Sequence, residues 1–175
     1  LEQNERKILR DLGVKFGRYH VFLYQLIKPE AVSLRTLLWK NFYQKFHNLK
    51  PPTFGLNFLD DKEIKNKNFM LLCGFEKFDN FFVRIDILER LFLQIINSDK
   101  EKNREIMLVP EMLNLLGCSK ENFIKLIKKM NYKSIEKKNK VYFKYLPFKN
   151  KNYKNVNKKT NENSPFNVLK GLSIK

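Results

Sequence analysis

The side chains that could act as nucleophiles, bases or metal ligands are few and scattered in this sequence. The chain has two histidines, His20 and His47, and two cysteines, Cys73 and Cys118, which lie far apart. Neither cysteine has a second Cys or His at the spacing of a zinc site. We therefore predict two reduced, buried thiols and no structural zinc.

The sequence contains no recognisable catalytic motif. Neither histidine lies near a Ser, a Cys or paired acidic residues in a catalytic order. Asp60, Asp61 and Glu63 form an acidic cluster, which is either a metal site or a set of solvated loop charges. The GxxxxGK(S/T) and GxGxxG loops that hold nucleotide phosphates are missing. We expect no catalytic residues, no metal, no cofactor and no activity from this chain alone.

Basic residues give the strongest chemical signal. The chain of 175 residues has a formal net charge of +17, with 35 Lys and Arg against 18 Asp and Glu. Residues 120–159 contain 14 Lys and two acidic residues. Codon bias in an AT-rich genome raises Lys content, but bias alone would not concentrate it in one region. Such a region attracts polyanions through counterion release, and nucleic acid is the commonest of these.

Arginine is scarce, with seven in the chain, so each is retained against a composition that prefers Lys. Arg18 and Arg84 lie in predicted strands beside the aromatic residues Tyr19 and Phe82, an arrangement that suits phosphate contacts next to base stacking. The alternative is that each Arg pairs with a nearby carboxylate, namely Asp11, Asp79 or Asp86. Two more residues of this half are predicted to contact nucleic acid, His20 and Arg35.

Two regions precede the basic one. Residues 1–50 are predicted to form a helix up to Leu12, an extended segment over residues 14–23, and a helix over residues 30–46 that Pro29 begins. Residues 51–105 are predicted to form a connector followed by helix, strand and helix. Asp86 is placed to cap the last of these helices, which ends near residue 97.

Residues 106–148, together with the helix 86–97, have the element order of a winged helix. Pro110 begins a short helix that Gly117 ends, and Ser119 caps a second helix that runs to Met130. A two-stranded basic hairpin follows as the wing. The alternative is an unrelated small helical bundle with a hairpin.

Lysines of the second helix and the hairpin are predicted to bind nucleic acid, the alternative being a solvated face enriched by codon bias. They are Lys120, Lys125, Lys128, Lys129, Lys133, Lys137, Lys138 and Lys140. Residues 149–175 read as a flexible, disordered basic tail that ends in an apolar motif. The fold class is α+β, mainly α with small β-hairpins: a helical accessory region, a winged-helix-like unit and the tail. With no membrane-spanning run or signal peptide, we expect a soluble, cytoplasmic protein without a membrane partner.

Four blocks of the sequence resemble the C-terminal region of one family, the bacterial relatives of the mitochondrial degradosome RNA helicase, which are superfamily 2 enzymes of the DExH type. They are residues 13–39, 83–91, 109–133 and 164–172. In the first block the matching residues are Gly13, Gly17, Arg18, His20, Lys28 and Pro29. The stretch 137–159 departs from the family, whose tails are Arg-rich and Pro-rich there.

The resemblance implies an accessory region of an ATP-dependent helicase in RNA degradation. ATP and Mg²⁺ would belong to motor domains upstream, and the start at Leu1 fits a piece of a longer protein. The implied partners are single-stranded nucleic acid, the upstream motor and a nuclease, with RNA as the favoured nucleic acid and DNA as the alternative. The alternative function is a protein-docking module that binds such a nuclease or the motor through a Phe-rich surface.

Overall fold

A computed structural model describes residues 1–44, 48–61, 66–99, 105–137 and 140–147. These residues form six α-helices, a short 3-10 helix and three small antiparallel sheets, which confirms the mixed α+β class. Among them, no helix is both long and apolar enough to cross a membrane. Lys138, His47 and the predicted tail lie outside the described residues.

The N-terminal part consists of α1 (Gln3–Asp11), β1 (Val14–Phe16), β2 (Val21–Leu23), a 3-10 helix (Tyr24–Ile27) and α2 (Pro29–Phe42). The predicted single extended segment is wrong, because residues 17–20 turn the chain back and pair β1 with β2. Helix α2 ends at Phe42 rather than at residue 46. Gly13, with φ 88°, makes the turn between α1 and β1.

The first three-stranded sheet contains β3 (Phe58–Asp60), β4 (Phe75–Phe78) and β5 (Phe81–Arg84), with α3 (Lys67–Leu72) between its first two strands. The side chain of Asn66 accepts a hydrogen bond from the Phe69 N–H and so caps α3. Within the predicted connector, β3 pairs with β5 and turns part of that segment into an edge strand.

The last part contains α4 (Ile85–Asp99), β6 (Ile106–Met107), α5 (Pro110–Leu116), α6 (Lys120–Lys129), β7 (Tyr132–Lys137) and β8 (Lys140–Tyr145). The predicted boundaries of α5 and α6 agree within one residue: Gly117 ends α5 with φ 68°, and the Ser119 hydroxyl accepts from the Asn122 N–H. Helix α4 begins at Ile85 and ends at Asp99, so Asp86 lies in its first turn and the predicted cap at Asp86 is wrong. The second three-stranded sheet has the order β6-β8-β7.

The two three-stranded sheets are built in the same way. In each sheet the first strand comes after a helix of 14 or 15 residues. The other two strands form a hairpin later in the chain, and the second strand of that hairpin lies in the centre of the sheet. The two sheets therefore share one strand order, with one helix, α3, before the hairpin in the first sheet and two helices before it in the second.

Strand β5 joins two hydrophobic cores. Phe81 and Val83 belong to the larger core, which α4, α5, α6 and the second sheet complete. Phe82 points the other way, into a smaller core that includes Val32 of α2 and Met70 of α3. Because successive residues of a strand face opposite sides, this one strand ties both halves together.

Both cysteines are free. Cys73 is buried, whereas Cys118 is half-buried, and burial raises the pKa of each thiol to about 11. Of the predicted acidic cluster, Asp61 pairs with Lys77 at 2.6 Å, and Glu63 lies outside the described residues.

Candidate nucleic-acid interface

The outer face of the β7–β8 hairpin gathers four lysines around two apolar side chains. Three pairs of residues lie opposite each other across the two strands: Lys133 and Lys144, Ile135 and Tyr142, Lys137 and Lys140. Opposite residues of an antiparallel pair project to the same side, and the alternate ones project to the other. We call these six residues the lysine face. The other side of the hairpin carries Tyr132, Val141 and Phe143 into the core.

The lysine face places like charges directly opposite each other. Such pairs destabilise a sheet, whereas opposite charges at the same positions stabilise it. In the described part of the chain, the ion pair of this face joins Lys137 Nζ to Glu105 Oε2 at 2.7 Å, and hydrogen bonding to Lys137 lowers the pKa of the Glu105 carboxyl. The charge of Lys144 also contributes to the lowered pKa of Glu105, so this one carboxylate offsets part of the positive charge that Lys133, Lys144 and Lys137 concentrate, and a polyanion would offset the rest.

An apolar strip runs through the middle of the lysine face. Met107 of β6 lies opposite Tyr142, so that it extends the strip by one strand. The ammonium of Lys137 lies 5.9 Å from the centre of the Tyr142 ring. An aromatic ring between lysines can stack a base while the lysines hold the adjoining phosphates, as in proteins that bind single strands.

The predicted lysines of α6 do not belong to the lysine face, although Lys120 lines a cleft together with Lys140 of that face. Helix α6 packs on the inner side of the hairpin, where the rings of Phe123 and Phe143 are 5.8 Å apart. Two of its lysines are already paired: Lys120 with Glu136 at 3.1 Å and Lys129 with Asp79 at 2.9 Å. The other two α6 lysines, Lys125 and Lys128, are exposed.

Arg18 is brought to the base of the hairpin. Its guanidinium lies 5.6 Å from the centre of the Tyr19 ring and 5.3 Å from that of Tyr145, the last residue of β8. Tyr19 in turn packs edge-on against Phe92 of α4. Arg18 therefore stacks on aromatic rings, with its side chain exposed at the protein surface.

Glu89 holds the turn that carries Arg18. Its buried carboxylate accepts backbone N–H bonds from Arg18, Tyr19 and His20, and the His20 Nδ1 lies 2.9 Å from its Oε1. A β-carbon on Gly17 would overlap this carboxyl group, so the turn requires glycine there. The ring of His20, a residue predicted to contact nucleic acid, thus contacts Glu89 and helps to hold the turn.

The charges of Glu89 and His20 stabilise each other. Burial alone would raise the pKa of Glu89, but the bonds from His20 and the backbone outweigh it, and the pKa is lowered. Bonding to Glu89 raises the pKa of His20, and Glu76 at 3.7 Å adds to this. Glu89 was not identified from the sequence. It lies in the apolar series of Ile85, Leu88 and Phe92, and an acidic residue at such a position indicates a buried hydrogen-bond partner.

The remaining predicted arginines make contacts within the chain. Arg84 donates to both carboxylate oxygens of Asp86, at 2.7 and 3.1 Å, as the ion-pair alternative had it. Arg35 donates to the carbonyl oxygen of Leu26 at 3.2 Å. Neither belongs to the hairpin.

Scans against protein-family models, curated proteins and solved structures find no match to this chain.

Proposed function

We propose that this protein binds single-stranded nucleic acid on the lysine face. The observation that carries the proposal is the direct opposition of Lys133 to Lys144 and of Lys137 to Lys140 around Tyr142. This arrangement costs stability in the free protein and matches the alternating phosphates and bases of a strand. Arg18 at the base of the hairpin extends the basic surface.

The unit that presents this face is proposed to be a winged helix. The winged-helix proposal is supported by the element order α4, β6, α5, α6, β7, β8 and by the central position of β8 in the sheet. In this interpretation β7 and β8 are the wing and α6 is the second helix of the helix-turn-helix. The binding surface would then be the wing rather than that helix.

The wider setting is proposed from the four sequence blocks that resemble helicase C-terminal regions. The chain would be an accessory region of an ATP-dependent superfamily 2 helicase, acting on RNA in the cytoplasm. It would hold the strand that leaves the motor, while ATP and Mg²⁺ would be used in the motor domains. The motor and a nuclease would be its protein partners.

Fluorescence anisotropy with a labelled single-stranded RNA, titrated at two salt concentrations, tests the binding site. A Lys133→Gln, Lys144→Gln double variant should bind more weakly and lower the salt slope by about 1.4, because each phosphate contact to a single strand contributes about 0.7. The matched control is Lys125→Gln, Lys128→Gln on α6, which removes the same charge and should change binding less. Absence of binding at low salt would reject the proposal, and the reverse order of the two variants would move the site to α6.

The alternative function, protein docking, is favoured by a different surface from the one predicted. Among the described residues seven phenylalanines are buried, and the two exposed ones, Phe42 and Phe54, do not by themselves make a Phe-rich surface. Instead, α2 carries an exposed apolar face: Leu34, Leu37, Leu38 and Phe42, each more than half exposed. A protein partner on this face would stay bound at high salt and would be lost with Leu37→Glu, the opposite of the behaviour expected for nucleic acid.

A further inference from the structure

A cleft opens beside the lysine face, between the start of α5 and the turn end of the hairpin. Its volume is about 410 Å³, within the range of small-ligand sites. Apolar side chains form most of its wall, among them Met107, Pro110, Leu113 and Val141, and two lysines, Lys120 and Lys140, also line it.

The cleft and the lysine face share residues. Lys140 belongs to both, and Met107 lines the cleft while lying opposite Tyr142 on the face. A single-stranded nucleic acid bound along the lysine face can therefore reach the cleft without leaving the protein surface.

The charges at the cleft favour an anionic ligand with an apolar part. Its lining residues include two lysines and no carboxylate. Lys120 is held by Glu136, but both side chains are exposed, and an exposed ion pair contributes little and is readily exchanged for a phosphate. A nucleotide combines the two required parts, since its base is flat and largely apolar on its faces and its phosphates are anionic.

We propose that this cleft receives one unstacked base of the bound single strand, while Lys120 and Lys140 contact the phosphates on either side of it. The inference rests on the proposed function and makes it more specific. A base within a duplex cannot enter the cleft without leaving its stack, so the cleft selects single strands.

Photocrosslinking tests the position of the base. A 12-residue RNA containing 4-thiouridine is bound to the full chain, irradiated, and the crosslinked protein is digested with trypsin. Tandem mass spectrometry assigns each crosslink to a residue, because residues 141–144 contain both Val141 of the cleft and Tyr142 of the lysine face, whereas residues 105–120 contain Pro110 and Leu113 of the cleft. We expect crosslinks at Pro110, Leu113 or Val141, and a Met107→Ala variant should reduce them severalfold while leaving those at Tyr142.

Anisotropy with the same RNA supplies the affinity. Met107→Ala should weaken binding by roughly three- to fourfold, the factor for one methylene-sized apolar contact. The control is Leu71→Ala on α3, because Leu71 is 43% exposed and Met107 37%. It should bind as the wild type does, and circular dichroism checks that both variants are folded.

Three outcomes would overturn the inference, and they differ. Binding with crosslinks confined to Tyr142 and Lys144 would keep the lysine face and reject the cleft. Equal affinity for Met107→Ala and wild type would reject the base contact with Met107 that the cleft requires, and would leave binding to the lysines and Tyr142 of the face. Absence of RNA binding by the wild-type protein would reject the proposed function itself.

Discussion

Nδ1 of His20 lies 2.9 Å from Oε1 of Glu89, and this contact joins the N-terminal hairpin to the middle of α4. The same carboxylate accepts the backbone N–H groups of Arg18 and Tyr19. Because Glu89 is only 4% exposed, its charge depends on these donors. The contact therefore decides whether Arg18 stays beside Tyr145 at the base of the basic hairpin.

Replacing Glu89 by Gln should destabilise the protein. The side chain keeps its shape but loses its charge, and its NH₂ group cannot accept the backbone donors. We expect a loss of about 1.5–3 kcal/mol in the free energy of unfolding, the range for hydrogen bonds to a charged group. Urea denaturation measures it. Glu121→Gln, an exposed change on α6, should stay within about 0.5 kcal/mol, and equal losses in both variants would contradict the role of Glu89.

Gly17→Ala should destabilise through the same carboxylate. The φ angle of Gly17 is not positive, so alanine can adopt the backbone and the cost comes from overlap with Glu89. We expect about 1–3 kcal/mol, as for other overpacked sites. In a Glu89→Ala background the same change should cost less by at least about 0.5 kcal/mol. Additive losses in this double-mutant cycle would show that the strain lies elsewhere.

The contact between His20 and Glu89 predicts how the free energy of unfolding changes with pH. His20 has a raised pKa in the folded protein, so its contribution is present below the ordinary value of 6.5 and is lost as pH rises through the folded pKa. Glu89 has a lowered pKa, so its contribution is present above 4.5 and is lost as pH falls through the folded pKa. Both act together between about pH 4.5 and 6.5.

Unfolding free energies measured from pH 4 to 9 check this dependence. His20→Gln should remove most of the decline on the alkaline side, because the group that titrates is gone. His47→Gln is the matched control and should keep the decline. A decline that persists in His20→Gln and disappears in His47→Gln would assign the titration to His47 and contradict the role of His20.

The parts of the fold that are set by local chemistry could be predicted from the sequence. Pro110, Gly117 and Ser119 define both ends of α5 and the start of α6. Pro110 restricts φ, Gly117 permits the left-handed φ, and the Ser119 hydroxyl accepts a free helix N–H. The strands β3 and β6 could not be predicted. They are two or three residues long and exist only because they pair with strands formed much later in the chain.

The same distinction applies to the candidate site. Lys133, Lys137 and Lys140 were predicted to bind, and the structure places them on one face. Lys144 and Tyr142 were missed, although the alternation of Lys140, Tyr142 and Lys144 along β8 indicates a shared side. The Glu89 contact was not predictable, since no local pattern tells which of several polar groups will meet a buried acid about 70 residues away.

Lys144→Glu should separate stability from binding. Lys144 lies opposite Lys133, so the change replaces a repulsive pair by an attractive one, while the attraction between residue 144 and Glu105 becomes a repulsion. We expect a net stabilisation of the hairpin of less than about 1 kcal/mol. The same change removes a phosphate contact and adds repulsion, so the affinity for single-stranded RNA should fall about tenfold at low salt. Lys15→Glu on β1 alters the net charge equally, and both properties should change less, because Lys15 lies opposite Phe22 in a different sheet and does not belong to the lysine face. A variant that is more stable but binds less would show that the opposed lysines are kept for the ligand. If Lys144→Glu lost both stability and binding, the result would point to a structural role for Lys144, and the lysine face would no longer be the preferred site.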